Sequence, residues 1–191
     1  AIGHVRYSTA GESKLSNAQP ILIDCAHGQI ALCHNGNLVN ARELRDELVR
    51  AGSIFQSTSD TEVILHLYED RGEECLQDLR GMFAFAIWDR TRGRLFLARD
   101  RLGVKPLVYH EGAGQLSFAS EIRALAHDGA GPLRADPAFL HSFLRVGFVP
   151  SPHTGFAGVR KLDPGTLLEV DPATGAERAH RFHDLAPAPP G

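Results

Sequence analysis

The stretch Met82-Phe83-Ala84-Phe85-Ala86-Ile87-Trp88-Asp89 decides the fold class, because it is apolar on both faces and is bounded by turn residues. A segment of that length with no polar face predicts a strand covered on both sides. Arg92-Gly93 then turns the chain into Arg94–Arg99, the clearest hairpin in the sequence. Downstream, Pro106–His110 and Gln115–Ala119 form a second hairpin across Glu111-Gly112-Ala113-Gly114, and Gly165–Val170 is a late strand. Upstream, Ile2–Tyr7, Pro20–Cys25 and Gln29–His34 are further predicted strands, with Gly28 marking a hairpin between the last two.

Helices flank these strands. Leu38, Ala41, Leu44 and Leu48 recur at helical spacing, which predicts a helix over Val39–Ala51 stopped by Gly52. Asp60–Tyr68 is a second, with Asp60 as N-cap and Val63, Ile64 and Leu67 on one face. Glu73–Leu79, Glu121–His127 and Pro137–Val146 complete the set. Strand hairpins with helices outside them predict an α+β protein of two stacked, mostly antiparallel sheets between helical layers.

The chain has 191 residues, enough for one domain with a sizeable core, and 43% hydrophobic with 23% charged residues is globular composition. A net charge of −3 with interspersed signs provides no field for nucleic acid. No apolar run approaches the roughly 20 residues of a membrane span, and residues 1–20 lack a signal-peptide pattern. Cys25, Cys33 and Cys75 are odd in number and irregularly spaced, so a disulfide framework is not expected and a reducing, cytoplasmic compartment is. There is no C-x-x-C, the histidines mostly stand alone, and no metal site is expected. Ala186-Pro187-Ala188-Pro189-Pro190-Gly191 has linker composition, so residues 1–185 are taken as the domain and 186–191 as a linker toward a further domain.

The candidate site lies in Gly3-His4-Val5-Arg6-Tyr7-Ser8-Thr9-Ala10-Gly11, His34-Asn35-Gly36-Asn37 and Thr58-Ser59-Asp60. Asn35-Gly36 can place a side-chain amide and a backbone N–H on one oxygen, or can simply make a turn after a strand ending at His34. Arg6 can grip a carboxylate with two prongs or form a surface ion pair. Asp60 can bind an ammonium or cap a helix; Thr9 can add a hydroxyl contact or shape a turn. Cys33, inside the apolar run Ala31-Leu32-Cys33, is expected to be buried and not a nucleophile.

Together these segments resemble the class II glutamine amidotransferases, of the N-terminal-nucleophile hydrolase type. The resemblance implies an α/β/β/α sandwich. It also implies glutamine as substrate, held by Arg6, Thr9, Asn37 and Asp60, with Asn35 and Gly36 stabilising the oxyanion. The family's nucleophile is a cysteine at the mature N-terminus, several dozen residues before the Arg-bearing strand. On that pattern Ala1 is expected to be a truncation point, and the chain alone to be inactive. The absent segment would add a strand beside Ile2–Tyr7, and without it the exposed edge invites dimerisation or aggregation.

The likeness divides. Residues 1–67, through Gly52-Ser53-Ile54-Phe55-Gln56, resemble the glutaminase domain of amidophosphoribosyltransferases. From residue 68 onward, Leu79-Arg80-Gly81-Met82, Leu95-Phe96-Leu97-Ala98-Arg99-Asp100-Arg101-Leu102-Gly103-Val104-Lys105-Pro106-Leu107 and Gly158-Val159-Arg160-Lys161-Leu162-Asp163-Pro164-Gly165 resemble glutamine-dependent asparagine synthetases. Asn37 departs from the glutamate usual in the synthetases at that place. The reading favoured is the glutaminase domain of an asparagine-synthetase-like enzyme. It needs no cofactor itself, and ATP and magnesium are expected in a C-terminal synthetase domain. The alternatives are a glutaminase domain of purine synthesis and a non-catalytic domain that binds glutamine or a partner protein.

Overall fold

The computed structural model describes residues 1–5, 14–25, 28–112, 114–127 and 132–184. Arg6, Thr9 and the linker at 186–191 lie outside them.

The hairpin read from the sequence stands at the centre of the molecule. β3 (Gly81–Asp89) pairs with β4 (Arg94–Arg99) on one side and β2 (Gly28–Leu38) on the other. Outside these lie β1 (Ile21–Cys25), next to β2, and β8 (Thr166–Asp171) with β9 (Ala176–Arg181), next to β4. This gives a six-stranded sheet in the order β1-β2-β3-β4-β8-β9. A second sheet has the order β6-β5-β7, from β5 (Val108–Gly112), β6 (Gln115–Ala119) and β7 (Val159–Lys161). Every pairing in both sheets is antiparallel.

Alternation on β3 builds two cores at once. Phe83, Phe85 and Ile87 face a core with Leu44 and Leu48 of helix α1 (Ala41–Arg50) and Val63, Ile64 and Leu67 of helix α2 (Asp60–Arg71). Ala84 and Ala86 face the opposite way, against Leu97, Leu107, Tyr109 and Leu168 between the sheets. A third core, of Val108, Leu125 and Val159, lies under the short helix α3 (Ile122–Leu125) on the far side of the second sheet. Helices, sheet, sheet and helix therefore stack in four layers. Helix α4 (Pro137–Val146), capped by Asp136, buries no residue.

Several boundaries differ from expectation. Residues 1–5 belong to no strand, against the predicted Ile2–Tyr7. The third helix is a 3-10 turn over Gly72–Gln77. β7 and β9 were not foreseen: β7 is very short, and β9 (Ala-Glu-Arg-Ala-His-Arg) is exposed throughout, so it has no apolar alternation to read. Two corrections reach the candidate site. β2 does not stop at His34 but continues through Asn35, Gly36 and Asn37 to Leu38, so the Asn-Gly pair is strand and not turn. Asp60 is not the N-cap of α2: Ser59 is, its hydroxyl accepting from Thr61 N at 3.2 Å.

Candidate active site

The geometry of the Asn35-Gly36 segment follows from its neighbour across the sheet. Phe83 uses both its backbone groups on the β4 side. Its N–H donates to Asp100 Oδ2 (3.2 Å) and its C=O accepts from Asp100 N (2.8 Å). In an antiparallel pair the N–H and C=O of one residue point the same way. Gly36, opposite Phe83, therefore forms a non-hydrogen-bonded pair and turns its N–H away from β3. His34 and Leu38 share that direction. β1 no longer covers them, because its pairing ends at Ile21–Leu32.

Side chains take the place of β1 at two of these three N–H groups. His34 N donates to Gln19 Oε1 (2.6 Å), and Leu38 N donates to Asp60 Oδ2 (3.0 Å). Between them the Gly36 N–H points to the same edge, and it has no hydrogen-bond partner among the described residues. Glycine is needed here for space. A Cβ would lie 2.2 Å from Met82 O, 2.7 Å from His34 Nε2 and 2.8 Å from Phe83 Cα. Asn35 points to the opposite face of β2 from His34, with Nδ2 a long 3.5 Å from Ser120 Oγ, and half-buried Asn37 shares that face.

The N-terminus of α2 holds Asp60 in place from behind. Asp60 is 7% exposed, and His34 Nδ1 lies 3.9 Å from its Oδ1. His34 Nδ1 is 3.3 Å from Thr61 Oγ1, and Thr61 Oγ1 accepts from Gln19 Nε2 (3.1 Å). Asn17 and Thr58 exchange two further bonds, Nδ2 to Oγ1 (3.2 Å) and Thr58 N to Oδ1 (3.1 Å). Glu62 accepts from Gln56 N (2.7 Å), Ser57 N (2.7 Å) and Ser57 Oγ (2.5 Å), while Arg45 donates to the carbonyls of Ser57 and Ser59 (both 3.0 Å).

These surroundings set the charges. Burial holds His34 neutral, pushing its imidazole down to about 4 against the attraction of Asp60, with His4 and Lys105 adding repulsion. Burial opposes the charge on Glu62, but the hydrogen bonds from His66, Gln56 and Ser57 outweigh it and hold the carboxyl at about 2. Burial pushes the Cys33 thiol up to about 11. It takes Cys75 to about 12, with Asp78 adding to it. Neither is a nucleophile at neutral pH.

The structure thus brings Gly36 and Asp60 to one edge of β2, with Asn35 beside them on the inter-sheet face. Arg6 and Thr9 lie outside the described residues. A cleft of about 750 Å³ opens between the sheets near Trp88, Leu95 and Phe118, but none of these candidate residues lines it. Gln19, His34, Thr61, Glu62 and Asp100 were not singled out from the sequence. One signal was present: Ser59-Asp60-Thr61-Glu62 has the S-x-x-E spacing of a capping box, which marks Ser59 as the cap. Among the described residues no cluster of histidines, cysteines and carboxylates could hold a metal ion, and no helix is long and apolar enough to cross a membrane.

With this fold and this edge in view, the chain belongs to the glutamine amidotransferase domain family, whose model matches residues 1–183. It is 40% identical over 151 residues to asparagine synthetase [glutamine-hydrolyzing] 3 of Bacillus subtilis, covering 78% of this chain and 25% of that one. It is also 41% identical over 142 residues to the amidophosphoribosyltransferase of Rhizobium etli, covering 70% and 28%. Among solved structures it resembles the glutamine phosphoribosylpyrophosphate amidotransferase of B. subtilis complexed with ADP and GMP. That match has a TM-score of 0.68 at 32% identity and covers 94% of this chain and 34% of that one. The chain spans about a quarter of the length of the curated relatives it matches.

Proposed function

We propose that this domain releases ammonia from glutamine for an ATP-activated acceptor, as part of an asparagine-synthetase-like enzyme. The observation that carries the reading is the edge of β2, where a backbone N–H at Gly36 with no partner among the described residues stands next to the buried carboxylate of Asp60. Attack on the side-chain amide puts negative charge on its oxygen. The Gly36 N–H and the Asn35 amide are donors of the kind that stabilise it, and each such donor is typically worth about 10²–10³ in rate. Asp60 takes the substrate's α-ammonium, Arg6 its α-carboxylate, and Thr9 and Asn37 add polar contacts. The nucleophile of this chemistry is an N-terminal cysteine, a role for which buried Cys33 and Cys75 are unfit. ATP and magnesium serve the acceptor half of the reaction in a following synthetase domain, and this domain takes no cofactor.

The test is ammonia release by the complete gene product. Asn35→Ala should lower kcat by about 10²-fold or more with a smaller change in KM, and Asp60→Asn should act mainly on KM. Unchanged kinetics in both variants would refute the site. A second reading, a glutaminase domain serving phosphoribosylamine synthesis, is favoured by the likeness to the B. subtilis amidotransferase structure. Glutamine-dependent turnover with phosphoribosyl pyrophosphate, and none with aspartate and ATP, would select it.

A further inference from the structure

Gln19, Thr61 and His34 close a ring of three hydrogen bonds behind the β2 edge, joining the segment before β1, the strand itself and the start of α2. His34 N donates to Gln19 Oε1, which fixes the orientation of the Gln19 amide, and Gln19 Nε2 donates to Thr61 Oγ1. The Thr61 hydroxyl proton then has His34 Nδ1, 3.3 Å away, as its acceptor among the described residues. An accepting Nδ1 is what gives the Thr61 proton a partner, and it places the proton of the neutral ring on Nε2. His34 is 3% exposed, and its Nε2 is packed against Gly36 with no hydrogen-bond partner among the described residues.

The tautomer bears on Asp60. Its Oδ2 is committed to Leu38 N, whereas Oδ1 faces His34 Nδ1 at 3.9 Å, beyond hydrogen-bond range. An Nδ1–H imidazole could close that distance by a small shift and take Oδ1 as its acceptor. With the lone pair on Nδ1 it cannot. We infer that Thr61 and Gln19 are positioning residues: they lock His34 in the Nε2–H tautomer and so leave Asp60 Oδ1 open for the cation of a ligand. Selectivity for an α-amino acid amide over the same amide without its amine then depends on a hydroxyl that touches neither substrate nor reacting atoms. The step from Oδ1 to substrate rests on the proposed role of Asp60 as the ammonium-binding group.

The experiment has two arms, both on the 191-residue chain. The first reads the imidazole nitrogens by NMR at neutral pH, with the His34 signals assigned by His34→Gln. The wild-type chain and Thr61→Ser should show Nε2–H, and Thr61→Val should move the proton toward Nδ1. An Nδ1–H ring in the wild-type chain, or identical spectra for Thr61→Val and Thr61→Ser, would overturn the inference. The second arm measures calorimetric binding of L-glutamine and of 4-carbamoylbutanoate, which has no α-amine. Thr61→Val should weaken glutamine binding by about tenfold or more, the worth of one charge-assisted hydrogen bond. It should leave the amine-free ligand within about twofold, and Thr61→Ser should restore the difference. Equal weakening of both ligands would show a merely structural role and overturn the link to Asp60. If the wild-type chain binds neither ligand while the spectra follow expectation, the glutamine reading of the site fails and the tautomer lock stands.

Discussion

Asp100→Asn is the sharpest test of how this fold sets up its site. Asp100 is 1% exposed and accepts four backbone N–H groups. Oδ1 takes Leu102 (3.1 Å) and Val104 (2.9 Å), and Oδ2 takes Lys105 (2.9 Å) and Phe83 (3.2 Å). Asparagine keeps the shape but presents an NH2 in place of one oxygen, so in either orientation two of the four donors meet another donor. Each buried donor left unsatisfied costs roughly 1–3 kcal/mol, which puts the substitution at about 4 kcal/mol. For a domain of this size each kcal/mol moves the melting temperature by about 2–4 °C, so the variant should melt some 8–16 °C lower at pH 7. A calorimetric or circular-dichroism melt decides it. A drop under about 3 °C would show that the loop or a water re-satisfies the donors. Asp100 would then not be what fixes the direction of the Phe83 and Gly36 amides.

Gly36→Ala should destabilise by more than about 3 kcal/mol, because the atoms a Cβ would strike are mostly backbone; a chemical melt within about 0.5 kcal/mol of wild type would contradict this. Acid should unfold the domain in two overlapping windows. His34 is held neutral, so the unfolded chain binds the extra proton and stability falls as pH drops from about 6.5 to about 4; the Glu62 contribution, complete above about 4.5, is lost on the way down to about 2. Each window is worth roughly 3 kcal/mol, and Glu62→Gln should flatten the lower one in melts run against pH. The 191-residue chain should release no ammonia from glutamine above a blank, and Cys33→Ala should change nothing; turnover abolished by that substitution would make Cys33 the nucleophile after all.

The layered fold was legible wherever one segment carried its own signal. The two-faced apolarity of Met82–Trp88 can be satisfied only by burial on both sides, and the structure builds one core on Phe83, Phe85 and Ile87 and another on Ala84 and Ala86. The helical spacing of Leu44 with Leu48 and of Val63 with Ile64 and Leu67 likewise placed α1 and α2. β9 escaped because an exposed edge strand has no buried face to leave a pattern.

The site divides along the same line. Residue type and order were enough to nominate Asn35, Gly36 and Asp60, because the chemistry of an amide, a glycine and a carboxylate is local to the residue. Sequence alone left two choices at Asn-Gly and two at Asp60, and these depended on partners far along the chain. Whether Asn35-Gly36 turns or continues as strand is set by pairing with Met82, Phe83 and Ala84. Which N–H groups face outward is set by Asp100 capturing Phe83, and where β1 stops decides that β1 does not pair with them. Asp60 could leave the capping role because Ser59 fills it, and its carboxylate went to Leu38 instead. Register and parity are relations between strands, so they acquire a value only when the sheet forms.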